Sequence, residues 1–109
     1  MKEITFTQNS QLGMIKGVLR IIGKILFFKF NNNQYAERII EQMKQRGAII
    51  DFGKNKEWIR VDIFRDLELI KLGDKELDLK ESSEEEIERF IADFYIEQYK
   101  KANFIVEEK

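Results

Sequence analysis

The chain has 109 residues, 43% hydrophobic and 36% charged, and contains no histidine, cysteine or proline. Thiolate or imidazole zinc sites, Ser-His-Asp and Cys-His nucleophiles and disulfide frameworks are therefore excluded, and any chemistry must rest on carboxylates, lysine, tyrosine or hydroxyls. The net charge of −1 hides a division, because residues 1–60 carry 11 Lys and Arg against 5 Asp and Glu, whereas residues 61–109 carry 8 against 15.

From the N-terminus, Lys2 to Thr7 alternates polar and apolar residues, with Ile4 and Phe6 on one side, as a half-buried strand does. Gln8-Asn9-Ser10 supplies a turn or cap. Ile15, Val18, Leu19, Ile22, Ile25 and Leu26 then recur at helical spacing with Lys16, Arg20 and Lys24 opposite, which favours a basic amphipathic helix over residues 12–24. The competing reading is a hairpin, Val18–Ile22 and Ile25–Phe30 around Gly23-Lys24, where Gly at the first central position suits a type II′ turn. Gly13, Gly17 and Gly23 weaken the helix by nearly ~1 kcal/mol each relative to Ala. On either reading Ile25–Phe30 is a strand by its aromatic and branched content.

Asn33 is the expected N-cap of a helix over Gln34–Arg46 with Ala36, Ile39, Ile40 and Met43 inward, and Gly47 sits where a left-handed residue closes a helix. Ala48–Phe52 and Glu57–Phe64 read as strands around a turn at 53–56, with Ile59, Val61 and Ile63 inward and Trp58, Arg60, Asp62 and Phe64 on the other face. Leu67–Leu72 and Lys75–Leu79 read as a hairpin around Gly73-Asp74. Ser82/Ser83 followed by Glu85/Glu86 is a capping-box signature for a terminal helix, roughly Glu84 to Asn103, striped by Ile87, Phe90, Ile91, Phe94 and Tyr95. These elements add up to one α+β domain over residues 1–109, a mostly antiparallel sheet with about three helices packed on it.

The functional readings follow from which residues could share a surface. Trp58, Arg60 and Phe64 on one strand face, and Tyr95 and Tyr99 on the last helix, are residue types enriched at interfaces and point to another protein as partner. Lys16, Arg20, Lys24 and Lys29 beside Phe27, Phe28 and Phe30 pair basic groups with aromatics, as backbone attraction and base stacking require, so nucleic acid is the alternative partner; a sequence pI of about 5.6 weighs against it. A third reading is a magnesium-dependent nuclease, with Asp62 on one strand, the triplet Asp78-Leu79-Lys80 on the next, and Glu41 on the preceding helix.

No cofactor or resident metal is expected. The stretch Met14 to Phe30 is broken by Lys16, Arg20, Lys24 and Lys29, so it is not a membrane span, and a membrane partner is disfavoured. The start lacks a secretory signal pattern, and with no cysteine the chain is expected to be cytoplasmic. Residue types with A/T-rich codons (Phe, Tyr, Met, Ile, Asn, Lys) number 50 against 16 for Gly, Ala, Arg and Pro, which implies an AT-rich gene. The expectation is a stoichiometric protein-interaction module, an inhibitor, immunity or accessory protein of a phage or mobile element. The uneven charge also admits a salt-sensitive homodimer, basic half against acidic helix.

Overall fold

The computed structural model describes residues 1–11, 13–52 and 57–109. The chain opens with β1 (Lys2–Ser10), whose Ile4 and Phe6 are fully buried as the alternation predicts. The segment expected as a basic helix is instead β2 (Gly13–Ile22), paired residue for residue with β1 and followed by β3 (Ile25–Phe30). Ile15, Gly17, Leu19 and Ile21 point inward at a period of two, while Lys16, Val18, Arg20 and Ile22 point outward. The helical reading failed because Val18 and Ile22 are apolar on the outer face, so the apolar positions satisfy both periods. Gly23, at φ 58, opens the β2–β3 turn with the left-handed geometry expected of a type II′ hairpin.

Helix α1 (Asn33–Gln45) begins one residue earlier than expected: Asn32, not Asn33, is the cap, and its side chain accepts the Tyr35 N–H at 2.9 Å. Gly47 ends it at φ 85. The chain continues through β4 (Ile49–Phe52) and β5 (Ile59–Asp62); the expected turn at 53–56 lies outside the described residues. The short hairpin of β6 (Leu69–Leu72) and β7 (Lys75–Asp78) turns at Gly73 as read from the sequence. Helix α2 (Glu84–Lys101) carries the capping box, Ser83 with Glu86, and three glutamates in its first turn where the helix dipole favours them. Asn103 then takes a left-handed conformation, φ 66, and reverses the chain into β8 (Ile105–Glu108), a strand the sequence reading did not include.

The six longer-range strands form one antiparallel sheet in the order β4-β5-β3-β2-β1-β8, with β6-β7 as a separate ribbon. Two helices form among the described residues, not about three, because the first predicted helix is a strand. Both pack on the same face of the sheet. Tyr95 and Tyr99 of α2 meet Phe28 and Phe6, and Tyr35 of α1 meets Phe30 and Phe104. The β6-β7 ribbon lies against α2, where Leu72 and Lys75 share a groove with Phe90 and Phe94.

Phe6 is the hub of this layer. Its ring stacks on Tyr99 at 3.9 Å between centroids and meets Phe30 and Phe104 edge-on. Its neighbour across the ladder is Gly17, where a β-carbon would lie 2.2 Å from the ring, so glycine is what lets Phe6 lie flat across β2. A buried carboxylate, Glu88 of α2, accepts the Gly23 N–H at 2.7 Å and pairs with the Met1 amine at 3.0 Å, which fastens the β2–β3 turn to the helix.

Candidate functional site: the uncovered face of the sheet

With both helices on one face, the other face of the sheet has no covering layer among the described residues. The strand registers set out what stands there. Glu3 of β1 lies opposite Arg20 of β2, Arg20 opposite Phe27 of β3, Phe27 opposite Arg60 of β5, and Arg60 opposite Asp51 of β4. One row across five strands therefore reads acid, arginine, phenylalanine, arginine, acid. Side chains directly opposite in a ladder sit about 4.5–5.5 Å apart at Cβ, close enough to interact.

Trp58, just before β5, joins this row from below. The Arg20 guanidinium carbon lies 4.4 Å from its ring centroid and the Lys29 ammonium 5.7 Å, so the indole is the floor on which two outward-facing cations rest. Arg20 also gives its Nε–H to Glu3 at 2.7 Å, and Lys29 pairs with Glu57. Arg20 and Lys29 are thus already neutralised. Arg60 is not: its side chain is half-buried and has no hydrogen bond or ion pair among the described residues. Asp51, opposite it, instead turns Oδ1 to the Phe52 N–H at 2.8 Å.

The structure redistributes the residues singled out from sequence. Trp58 and Arg60 stand together on the open face, and Lys16, Arg20 and Lys29 join them, so the protein-binding and nucleic-acid sets converge on one surface. Lys24 does not join, since its Nζ donates to the Arg65 carbonyl at 2.7 Å and holds the turn. Phe27 faces outward, but Phe28 and Phe30 belong to the core beneath the helices.

Phe64, Tyr95 and Tyr99 are corrections. They are 6%, 9% and 7% exposed and cannot form a surface patch. Phe64 lies beyond the end of β5, where the chain turns inward and the strand's alternation no longer applies. The two tyrosines line the sheet side of α2, and burial pushes Tyr95 up to about 12 and Tyr99 well above the ordinary value. Tyr35 is raised by burial as well, against a hydrogen bond with Tyr99 that lowers it.

The nuclease candidates are not brought together. Asp62 ends β5 in the six-stranded sheet, buried, with Oδ2 taking the Arg65 Nε–H at 3.1 Å and Oδ1 without a partner among the described residues. Asp78 and Lys80 belong to the separate ribbon, where Asp78 Oδ1 accepts the Lys80 N–H and Lys80 pairs with Glu68. The adjacent-strand geometry that reading required is missing, Glu41 is an exposed residue of α1, and no three acidic side chains converge as cation ligands among the described residues. Phe27 is named from sequence beside the basic residues, whereas Glu3 and Asp51 are the members of the site the sequence reading missed. Their signal is cross-strand register, which no single strand displays.

The charge division of the sequence does not map onto the two faces: Glu3, Asp51 and Glu57 stand among Lys16, Arg20, Lys29 and Arg60 on the open face, and Lys71, Lys75 and Lys80 accompany Asp74, Glu76 and Asp78 on the ribbon. No described helix is long and apolar enough to cross a membrane. Comparison with known protein families, with curated proteins and with solved structures finds no match to this chain.

Proposed function

We infer that the protein acts by stoichiometric binding to another protein through the open face of the sheet. The observation that carries this reading is the row Glu3, Arg20, Phe27, Arg60, Asp51 with Trp58 beneath it: aromatic and arginine side chains, the types that dominate interface energetics, on a face that no layer covers among the described residues. Ile22 and Ile49 extend it with exposed apolar surface. Inhibition, immunity or accessory action for a mobile element in the cytoplasm are all forms such binding could take.

Nucleic acid is the second reading, supported by the arrival of Lys16, Arg20 and Lys29 beside Phe27 and Trp58 on one face. It is the weaker one. Glu3, Glu57 and Asp51 are interleaved with the cations, so a phosphate backbone would meet alternating attraction and repulsion, and Arg20 already lies over the Trp58 ring where a base would stack. A homodimer, basic half against acidic helix, would use the same charge division.

The test is affinity capture with immobilised protein, comparing the wild type with Phe27→Glu on the open face and Glu41→Ala on α1. A partner retained by Glu41→Ala and lost with Phe27→Glu supports the reading. Equal capture by both variants overturns it. A gel shift that weakens steeply with salt would favour nucleic acid, and a dimer mass that falls to monomer at about 1 M salt, where screening acts within about 3 Å, would favour self-association.

A further inference from the structure

The two arginines that flank Phe27 occupy equivalent places in the row, each with Phe27 on one side and an acid on the other, and they differ in one respect. Arg20 gives its Nε–H to Glu3 and rests on Trp58, whereas Arg60 has no acceptor among the described residues. A guanidinium offers five N–H donors in a fixed fork matched to the two oxygens of a carboxylate. Asp51, opposite Arg60, turns Oδ1 to the Phe52 N–H and makes no ion pair with Arg60 among the described residues.

We propose that the open face recognises its partner through a carboxylate side chain that docks on Arg60, with the apolar stem of that residue lying on Phe27. This rests on the protein-binding reading and names what the partner must present. A single carboxylate fits better than a phosphate, because Asp51 stands directly across from Arg60 and would repel a dianion more strongly than a monoanion. It also fits better than a polyanion, since Glu3 and Glu57 lie within the same face and repeat the repulsion on either side of any extended chain of charge.

The probe is a pair of blocked peptides, acetyl-Leu-Asp-Leu-amide and its isostere acetyl-Leu-Asn-Leu-amide, titrated into the full chain labelled with nitrogen-15, with octathymidylate as a third ligand. The expected result is a saturable shift of the Arg60 Nε–H, the Phe27 amide and the Trp58 indole N–H with the Asp peptide, at least about tenfold weaker with the Asn peptide, as loss of a charge-assisted hydrogen bond implies. Arg60→Met should erase the difference between the two peptides while its remaining amide spectrum stays that of the wild type, and Arg60→Lys should retain part of it. Equal binding of the two peptides on this face, or an Asp-dependent response centred on Lys16 or Lys24, would overturn the carboxylate assignment and leave the protein-binding reading standing. No perturbation of the face by either peptide would remove the support for both. Octathymidylate binding more tightly than the Asp peptide and lost in Arg60→Met would replace both with nucleic-acid recognition.

Discussion

The two faces of the six-stranded sheet are made by the same residues' alternation and hold their side chains by different means. On the helix face, Phe6, Phe28, Leu19 and Ile21 are fully buried, and the fit is steric to the point that Gly17 has no room for a methyl group. On the open face, order comes from paired charges and from cations resting on one indole, with most side chains half-buried or exposed. Close-packed interiors respond to the loss of one methylene, whereas contacts on solvated faces contribute fractions of a kcal/mol and tolerate exchange. The open face is therefore the one on which residues are free to serve binding.

The sharpest way to break this comparison is at the hub. Phe6→Ala removes the ring that Tyr99, Phe30 and Phe104 all contact and should cost about 3–5 kcal/mol, read as a fall in the urea midpoint with unchanged slope. Phe27→Ala, the same truncation on the open face at a half-buried site, should cost about 1 kcal/mol or less. Equal costs would mean that the open face is core, covered in solution by something that must then be found. Next in size, Gly17→Ala places its methyl against a ring held in a stack and should cost about 1–3 kcal/mol. Because the clash is with Phe6 itself, combining it with Phe6→Leu should cost less than the two changes summed, whereas strict additivity would show that the backbone, not the ring, is the obstacle.

The tyrosines test the helix side by pH. Burial holds Tyr95 near 12 and Tyr99 well above the ordinary 10.0, whereas in the unfolded chain both release protons near that ordinary value. Above pH 10 the unfolded state binds fewer protons, so stability present below the ordinary value is lost as pH rises through the folded one, by about 1.4 kcal/mol per pH unit for Tyr95. Tyrosinate absorbance should rise together with loss of the far-ultraviolet signal, and Tyr95→Phe should move the alkaline midpoint upward. Tyrosinate forming near pH 10.0 in a folded chain would place these rings at the surface.

What could be read from the sequence divides along the same line. Elements whose signals are local were legible: the capping box of α2, the left-handed glycine after α1, the glycine turn of the β6-β7 ribbon. Where apolar residues occupy both faces of a strand the period is ambiguous, and the outward Val18 and Ile22 of β2 satisfy helical spacing as well as the strand's. Strand β8 is too short to display alternation, with Phe104 and Val106 inward and Glu107, Glu108 and Lys109 reading as a charged tail. The open-face row was illegible for a different reason: Glu3, Arg20, Phe27, Arg60 and Asp51 come from five strands, and only pairing brings them into line. Tyrosine is amphipathic and so reads as a surface residue, but the Tyr99 ring stacks on Phe6 and the Tyr95 ring meets Phe28 edge-on beneath α2.

The smallest effect lies at the rim of the helix face, where Arg89 of α2 bonds Asp93 at 2.8 Å and also reaches Glu108 on the edge strand β8. The Arg89 hydrogen bond, more than its charge, holds the Glu108 carboxyl below the ordinary carboxylate value of 4.5. A carboxyl lowered on folding adds stability that is present above the ordinary value and is lost as pH falls through the folded one. Both side chains are about a third exposed, so solvent screening reduces the contribution to about 0.2–1 kcal/mol. Glu108→Gln should therefore destabilise by that small amount at neutral pH and by nothing at about pH 2, where wild type and variant carry the same charge. If the cost were several kcal/mol, or survived acid, the link between α2 and β8 would be steric, and the rim would belong with the close-packed face and not with the charge-paired one.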